Sequence, residues 1–406
     1  MPVDLSEQIV LGISSSALFD TKREHEIYES QGREAYVRHQ VENEEKPFPR
    51  GPAFPLVRAM LRLNDNFDLS RRIEVVVMSQ NQPEAGLRVM NSIREYGLEN
   101  LGISRGCFTG GTPVSKYLSA YNVSLFLSRH REDVQEAIEN GFAAAVLYDS
   151  PDSADIVPNQ VRLAFDGDAV IFSGESEKIY QAEGIEVFHE NERRNAKVPM
   201  QKGPFAEFLK LINEVQQGIE DEENFPIRTA IVTGRSGPAD RRVIHTLRDY
   251  GIKVDELFFM GGVEKKAVLK AFRPHIFFDD QPAHAEPASA VVQSGLVPYG
   301  SDEKDQPLNR ANEISVVYRG MNQEQFRAEC RSVLLPYLSH GTSRLPKEWS
   351  QFIKRNQGKD AVKRAKIVES LKRYDLSDLG LKDISLNRQG IVDVERKLRK
   401  IEGDAD

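Results

Sequence analysis

Two aspartates flank a single glycine at Asp166-Gly167-Asp168, with apolar runs on either side. Burying one ionised carboxylate is costly unless it is paired or holds a metal, and two adjacent ones repel. The triplet therefore reads as a site. Three more signals follow in order: Thr233-Gly234-Arg235 after a second apolar run, Lys265-Lys266 behind Met260-Gly261-Gly262, and Asp279-Asp280 after a third run. Each alone is an ordinary turn, cap or solvated pair; together they form a set. The chemistry that suits the set is phosphoryl transfer from a monoester. One carboxylate attacks phosphorus and forms an aspartyl-phosphate, while a second carboxylic acid protonates the leaving alcohol and later activates water. A divalent hard cation, with Asp166 and Asp279 or Asp280 as oxygen ligands, shields the negative groups from one another. Thr233 and Lys265 suit the phosphate oxygens, with backbone N–H groups at a helix start beside them. Gly234 and Arg235 are further candidate substrate contacts.

The elements that must position these residues are written twice. Residues 11–32 parallel 163–184 without a gap, and 50–60 parallel 202–212. Further on, 75–98 echo 229–252 and 107–128 echo 258–279, so four blocks keep their order at offsets of 152, 152, 154 and 151. Each copy predicts strand, long excursion, helix, strand, helix, glycine turn, helix, strand. The expected strands are 161–165, 229–232 and 275–278 in the second copy and 7–13, 75–78 and 123–127 in the first, as short apolar runs bounded by turn signals. Helices are expected over 204–217, opened by a proline, and 239–250, stopped by Gly251. Alternating strands and helices predict a parallel α/β sheet with helices on both faces. Ligands of such sheets lie beyond the carboxyl ends of the strands, where all four signals fall. At the aligned positions the first copy has Ser14, Ser16, Ser79, Val114 and Ser128-Arg129, so it lacks the acids and reads as scaffold, substrate wall or regulatory site. Lys116 and Asp20 lie near but hold no motif position.

The ordered set resembles the haloacid dehalogenase-type phosphatases. In that family the first Asp is the nucleophile and the second the acid/base, which implies Asp166 and Asp168 here. Magnesium is held there by the first Asp, a backbone carbonyl of the second and the late acidic pair, implying Asp166, Asp168, Asp279 and Asp280 as the Mg2+ site. Distributed likeness over roughly 5–300 is similar to the cytosolic 5'-nucleotidase I group, through "ISSSALFD", "RGPAFP", "FDGDAVIFS", "PHIFFDDQ" and the "TGG" turn. It implies hydrolysis of nucleoside 5'-monophosphates, AMP or purine type among them, to nucleoside and phosphate. One departure is Thr-Gly-Arg in place of the family's Thr-Ala-Arg. The four motifs specify phosphate and not its alcohol, so a broad or sugar-phosphate monoester phosphatase is the alternative, and a non-catalytic nucleotide-binding regulatory protein a second.

Base recognition is expected from a cap inserted over about 174–226, where Phe188 and Asn191 lead a group with His189, Arg193, Arg194 and Asn195. The turn Thr109-Gly110-Gly111-Thr112 of the first copy could also face the ligand. The domains expected are 1–150 (degenerate half), 151–303 (catalytic half with the cap) and 304–406 (helical extension, with helices at 324–337, 346–356, 361–374 and 387–401). The extension carries 21 Lys and Arg against 15 Asp and Glu, a charge of +6 against −14 for the rest. Its sign suits packing against the acidic body or a homo-oligomer contact more than nucleic acid, since the whole chain is at −8. No run approaches the roughly 18 apolar residues of a membrane helix, and residues 1–20 lack the basic start of a signal peptide. With only Cys107 and Cys330, a reducing cytoplasm is the expected compartment.

Overall fold

The computed structural model describes residues 4–150, 160–217 and 226–299, together with Arg327, Ala328, Cys330, Ser350, Ile353 and Lys354. The chain divides into two compact units, Met1–Gly300 and Ser301–Asp406. In the second unit the six described residues are helical, and the rest of the helices expected there lies outside the described residues.

One sheet runs through the first unit. Its strands are β1 (Ile9–Ile13), β2 (Ile73–Ser79), β3 (Arg105–Phe108), β4 (Val123–Ser128) and β5 (Ala144–Leu147), then β6 (Val161–Phe165), β7 (Ile227–Thr233), β8 (Glu256–Phe259), β9 (Ile276–Asp279) and β10 (Ser294–Leu296). They lie in the order β3-β2-β1-β4-β5-β10-β9-β6-β7-β8. Read from either edge, the order is the same: third, second, first, fourth and fifth strand of each half. All pairings are parallel except β5 with β10, where the halves meet antiparallel. β3, β5, β8 and β10 add to the three strands per half expected from the sequence. They are only three or four residues long, too short to show a period.

Helices flank the sheet: α1 (Ser15–Leu18), α2 (Lys22–Glu42), α3 (Phe54–Asn66), α4 (Pro83–Glu95) and α5 (Arg131–Glu139) in the first half. The second half has α6 (Glu175–Arg194), α7 (Ala206–Gln217), α8 (Asp240–Tyr250), α9 (Lys266–Phe272) and α10 (Pro282–Ser289). Alternate residues of a strand point to opposite faces. Accordingly Leu163, Phe165, Ile231 and Phe278 join the large core with Phe205, Leu209 and Val243, whereas Ala164, Ala230, Val232 and Phe277 pack with Leu269 and Phe272 of α9. Of the excursion expected as a cap, α7 is a core helix, with Phe208, Leu209, Ile212 and Val215 buried. The part that stands apart is α6, bent at Gly184 (φ 83°) as α2 is bent at Gly32 (φ 81°). Both positions need a backbone that only glycine adopts cheaply. No helix among the described residues is long and apolar enough to cross a membrane.

His275, just before β9, is buried and its Nδ1 accepts from the Arg162 N–H at 3.0 Å. Burial, reinforced by Arg162, lowers its pKa to about 4. The folded state thus binds one proton fewer than the unfolded state between pH 6.5 and about 4, and stability falls as pH falls through that window, by about 3 kcal/mol in all. His275→Gln should flatten this part of a plot of Tm against pH; an unchanged slope would assign the acid sensitivity elsewhere.

Candidate active site

β6 lies between β7 and β9, all parallel, so their carboxyl ends stand side by side. Asp166 follows the last residue of β6, Thr233 ends β7 and Asp279 ends β9. The Asp166 N–H donates to the Phe278 carbonyl at 2.7 Å, and the Gly167 N–H donates to Asp166 Oδ1 at 2.7 Å. A Cβ on Gly167 would lie 3.1 Å from Thr233 Oγ1, which places the glycine and the hydroxyl against each other. Lys265, directly before α9, is buried and bridges two acids: Nζ is 3.0 Å from Asp166 Oδ1 and 2.7 Å from Asp279 Oδ2. Residues from four separate stretches thus converge, as the sequence expected.

The turn after Asp166 departs from its counterpart. In the first half Phe19 N–H bonds the Ser15 carbonyl in a plain helical turn; in the second both Ile171 and Phe172 N–H bond the Gly167 carbonyl. Cross-turn bridges pair Phe19 with Arg50 and Phe172 with Lys202. The second half therefore holds one residue more here, and Ala169, immediately after Asp168, takes a left-handed φ of 57°. A non-glycine residue in that region is uncommon and mildly strained. The ungapped alignment hid this insertion.

Charge is unbalanced at the strand ends. Burial, opposed by Lys265 but reinforced by Asp279 and Asp168, pushes Asp166 up to about 7. Burial and then Asp166 and Asp279 push Asp280 up to about 9, and its buried Oδ1 has no hydrogen-bond partner. At Asp279 burial opposes ionisation, but Lys265 and His284 outweigh it and hold the group below the usual range. Lys265 is held above the usual lysine range by Asp166 and Asp279 in spite of burial. Three carboxyl groups, Asp166, Asp279 and Asp280, thus face one lysine, and one of their oxygens has no partner. Asp166, Asp279 and His284 each offer a ligand atom within 4.8 Å of the others. His284 was missed by the sequence reading. Its one signal is its place on the helix after the acidic pair, five residues beyond Asp279, with Nδ1 3.6 Å from Asp279 Oδ2.

Several expected substrate contacts are employed otherwise. Arg235 is buried: Nε and Nη2 donate to the two oxygens of Asp168 and Nη1 to Glu192 Oε2, each at 2.7 Å. Three of its five N–H donors are thus committed to two carboxylates. Phe188 is 8% exposed, with the Arg235 guanidinium 5.5 Å from its ring centre and Tyr180 edge-on at 6.2 Å; it supports Arg235 and does not present an open ring. Asn191 bonds Glu192 in α6 and Asn195 at its C-terminal cap. Gly234 is exposed, and a Cβ there meets nothing within 4 Å, so the family's alanine would fit equally. At the strand ends of the first half serine hydroxyls pair with one another: Ser14 with Ser16 at 3.2 Å and Ser15 with Ser79 at 2.9 Å.

A family model described as 5'-nucleotidase matches residues 1–304. Human cytosolic 5'-nucleotidase 1B is 37% identical over 305 residues, which cover 73% of this chain and 49% of that protein. The chain thus spans about half the length of that curated relative.

Proposed function

The chain belongs to the 5'-nucleotidase family, and from that premise we propose that it hydrolyses nucleoside 5'-monophosphates to nucleoside and phosphate. The observation that carries the reading is the convergence of Asp166, Thr233, Lys265 and Asp279 at three neighbouring strand ends. An Asp166 oxygen forms a bond to phosphorus as the ester P–O bond breaks, and the leaving oxygen takes a proton from the Asp168 carboxyl. A water oxygen then bonds to phosphorus and gives its proton to Asp168, while the P–O bond to Asp166 breaks. Lys265 and the Thr233 hydroxyl hold phosphate oxygens and offset charge as it develops. The donor set fits Mg2+: Asp166, a backbone carbonyl of Asp168 and the Asp279-Asp280 pair would hold it, with the orphaned Asp280 oxygen and the excess of carboxylate as the reason. When bound, the ion supplies charge that brings a phosphate dianion and a carboxylate together. The word cytosolic in the relative's name supports the same compartment here.

Selectivity for the nucleoside must come from groups beyond these. An aromatic stacked on a base is worth about 1–3 kcal/mol in single-stranded nucleic-acid binders, so kcat/KM for AMP should exceed that for simple sugar phosphates by about 5- to 160-fold. Phosphate release from a panel of monophosphates, with Mg2+ and with EDTA, tests this. Comparable values for AMP and sugar phosphates would replace the nucleotidase with a broad monoester phosphatase. That alternative has the covered ring of Phe188 in its favour. No release from any monophosphate would leave only the non-catalytic reading.

A further inference from the structure

Each half holds a buried arginine in the same cradle. Arg88 of α4 donates through Nε to the Lys46 carbonyl at 2.9 Å, and Arg242 of α8 to the Val198 carbonyl at 3.0 Å. Behind them Ser92 and Thr246 bond the arginine carbonyls, and Tyr96 and Tyr250 bond Phe48 and Met200 at the same 2.8 Å. The partners of Nη1 differ in kind. Arg88 has Glu24 at 2.9 Å and Gln40 at 3.1 Å; Arg242 has Glu192 at 2.9 Å. At an offset of 152, Glu192 stands where the first half has Gln40, and Ser176, bonded to Glu192, where it has Glu24. The scaffold therefore needs one carboxylate for this arginine, and either of two positions on the bent helix serves.

Only the second half puts that carboxylate within reach of a second arginine. Arg235 spans Glu192 and Asp168, three bonds of 2.7 Å, with its side chain 2% exposed and Glu192 fully buried. The first half has Asn81 and Ser16 at these positions, which cannot form the fork. The additional cation thus accompanies the acids, and the first half keeps the same strand order without it. A bidentate arginine–carboxylate pair fixes direction as well as distance. We propose that Arg235, anchored by Glu192 of α6, is the positioning residue for Asp168: together they set the orientation of the acid/base carboxylate and tie it to the cap helix. This rests on the phosphoryl-transfer reading above.

The test uses the full chain and p-nitrophenyl phosphate, whose leaving group departs without a proton. Arg235→Lys keeps the charge and loses the fork. It should still be phosphorylated on Asp166, but steady-state turnover should fall about 100-fold as water activation fails. Acid-quenched phosphoenzyme should accumulate above the parent's level, with KM not raised. Ser176→Glu/Glu192→Gln gives Arg242 the carboxylate arrangement of Arg88 and leaves Arg235 with Asp168 alone. It should melt near the parent and show the same accumulation. Parallel loss of phosphorylation and turnover, a raised KM with kcat intact, or parent-like kinetics in both variants overturns the positioning role. A parent that turns over no phosphate ester and takes up no covalent phosphate overturns the phosphoryl-transfer reading, and the proposal with it.

Discussion

Asp166→Asn is expected to lower turnover of any accepted monophosphate by at least about 10⁴-fold, the scale on which loss of a covalent nucleophile acts. An amide does not attack phosphorus, yet it has the same shape, and its oxygen can still accept the Gly167 N–H now held at 2.7 Å. The fold should therefore survive, and metal-free stability should rise. Asp166 is buried, and despite Lys265 its neighbours Asp279 and Asp168 help to raise it from 3.8 to about 7. Between those values the folded state binds the extra proton, so stability of the parent falls as pH rises from about 4 to about 7. The variant lacks that loss. In EDTA its Tm should exceed the parent's by a margin that grows across this window and is flat above it. Mg2+ should raise the parent's Tm more than the variant's, since ligands stabilise only what they bind. Near-parental activity in Asp166→Asn would remove the aspartyl-phosphate mechanism altogether.

The residues most legible in the sequence were those whose meaning is local. Asp166, Thr233 and Asp279 each close an apolar run, and the runs are strands β6, β7 and β9, so reading strand ends located two acids and a hydroxyl at the carboxyl ends of neighbouring strands. Lys265 was legible for the same reason, at the mouth of α9 behind a glycine turn. What escaped is non-local. Arg235 stands two residues after Thr233 and so invites a substrate role, whereas its partner Glu192 lies 43 positions away on a bent helix with no pattern linking the two. Phe188 is an aromatic of the expected cap, but its ring lies against that same arginine, beyond the bend at Gly184, and no local pattern announces the contact. The extra residue beside Ala169 was invisible because 11–32 and 163–184 align without a gap: the insertion is offset within the following helix, α6 being 20 residues long and α2 21. The antiparallel seam between β5 and β10 rests on strands of four and three residues, below the length at which alternation carries information.

A pair of glycine substitutions should separate the two halves by function. A Cβ on Gly203 would stand 2.4 Å from the Val170 carbonyl oxygen and 2.5 Å from that of Phe172. On Gly51 it would stand 2.6 Å from the Ala17 carbonyl oxygen and 2.7 Å from Phe19 N. Both glycines are thus required by close approach of backbone to backbone, and neither neighbour can swing aside as a side chain would. Overpacking of this kind costs about 1–3 kcal/mol, so Gly203→Ala and Gly51→Ala should lower Tm to a similar extent. Their kinetics should diverge. The backbone displaced by Gly203→Ala is the turn 167–172, which begins beside Asp166 and carries Asp168. A shift of about 1 Å in reacting groups costs on the order of 100-fold in rate. Gly51→Ala displaces the corresponding turn over Ser14 and Ser16, which hold one another by hydroxyl contact and have no carboxylate to misplace. Measured below both melting temperatures, turnover per folded molecule should stay near the parent's in Gly51→Ala and fall about 100-fold in Gly203→Ala. Equal loss in the two would mean that the serine-lined strand ends take part in the reaction, and the division of labour between the halves would have to be abandoned.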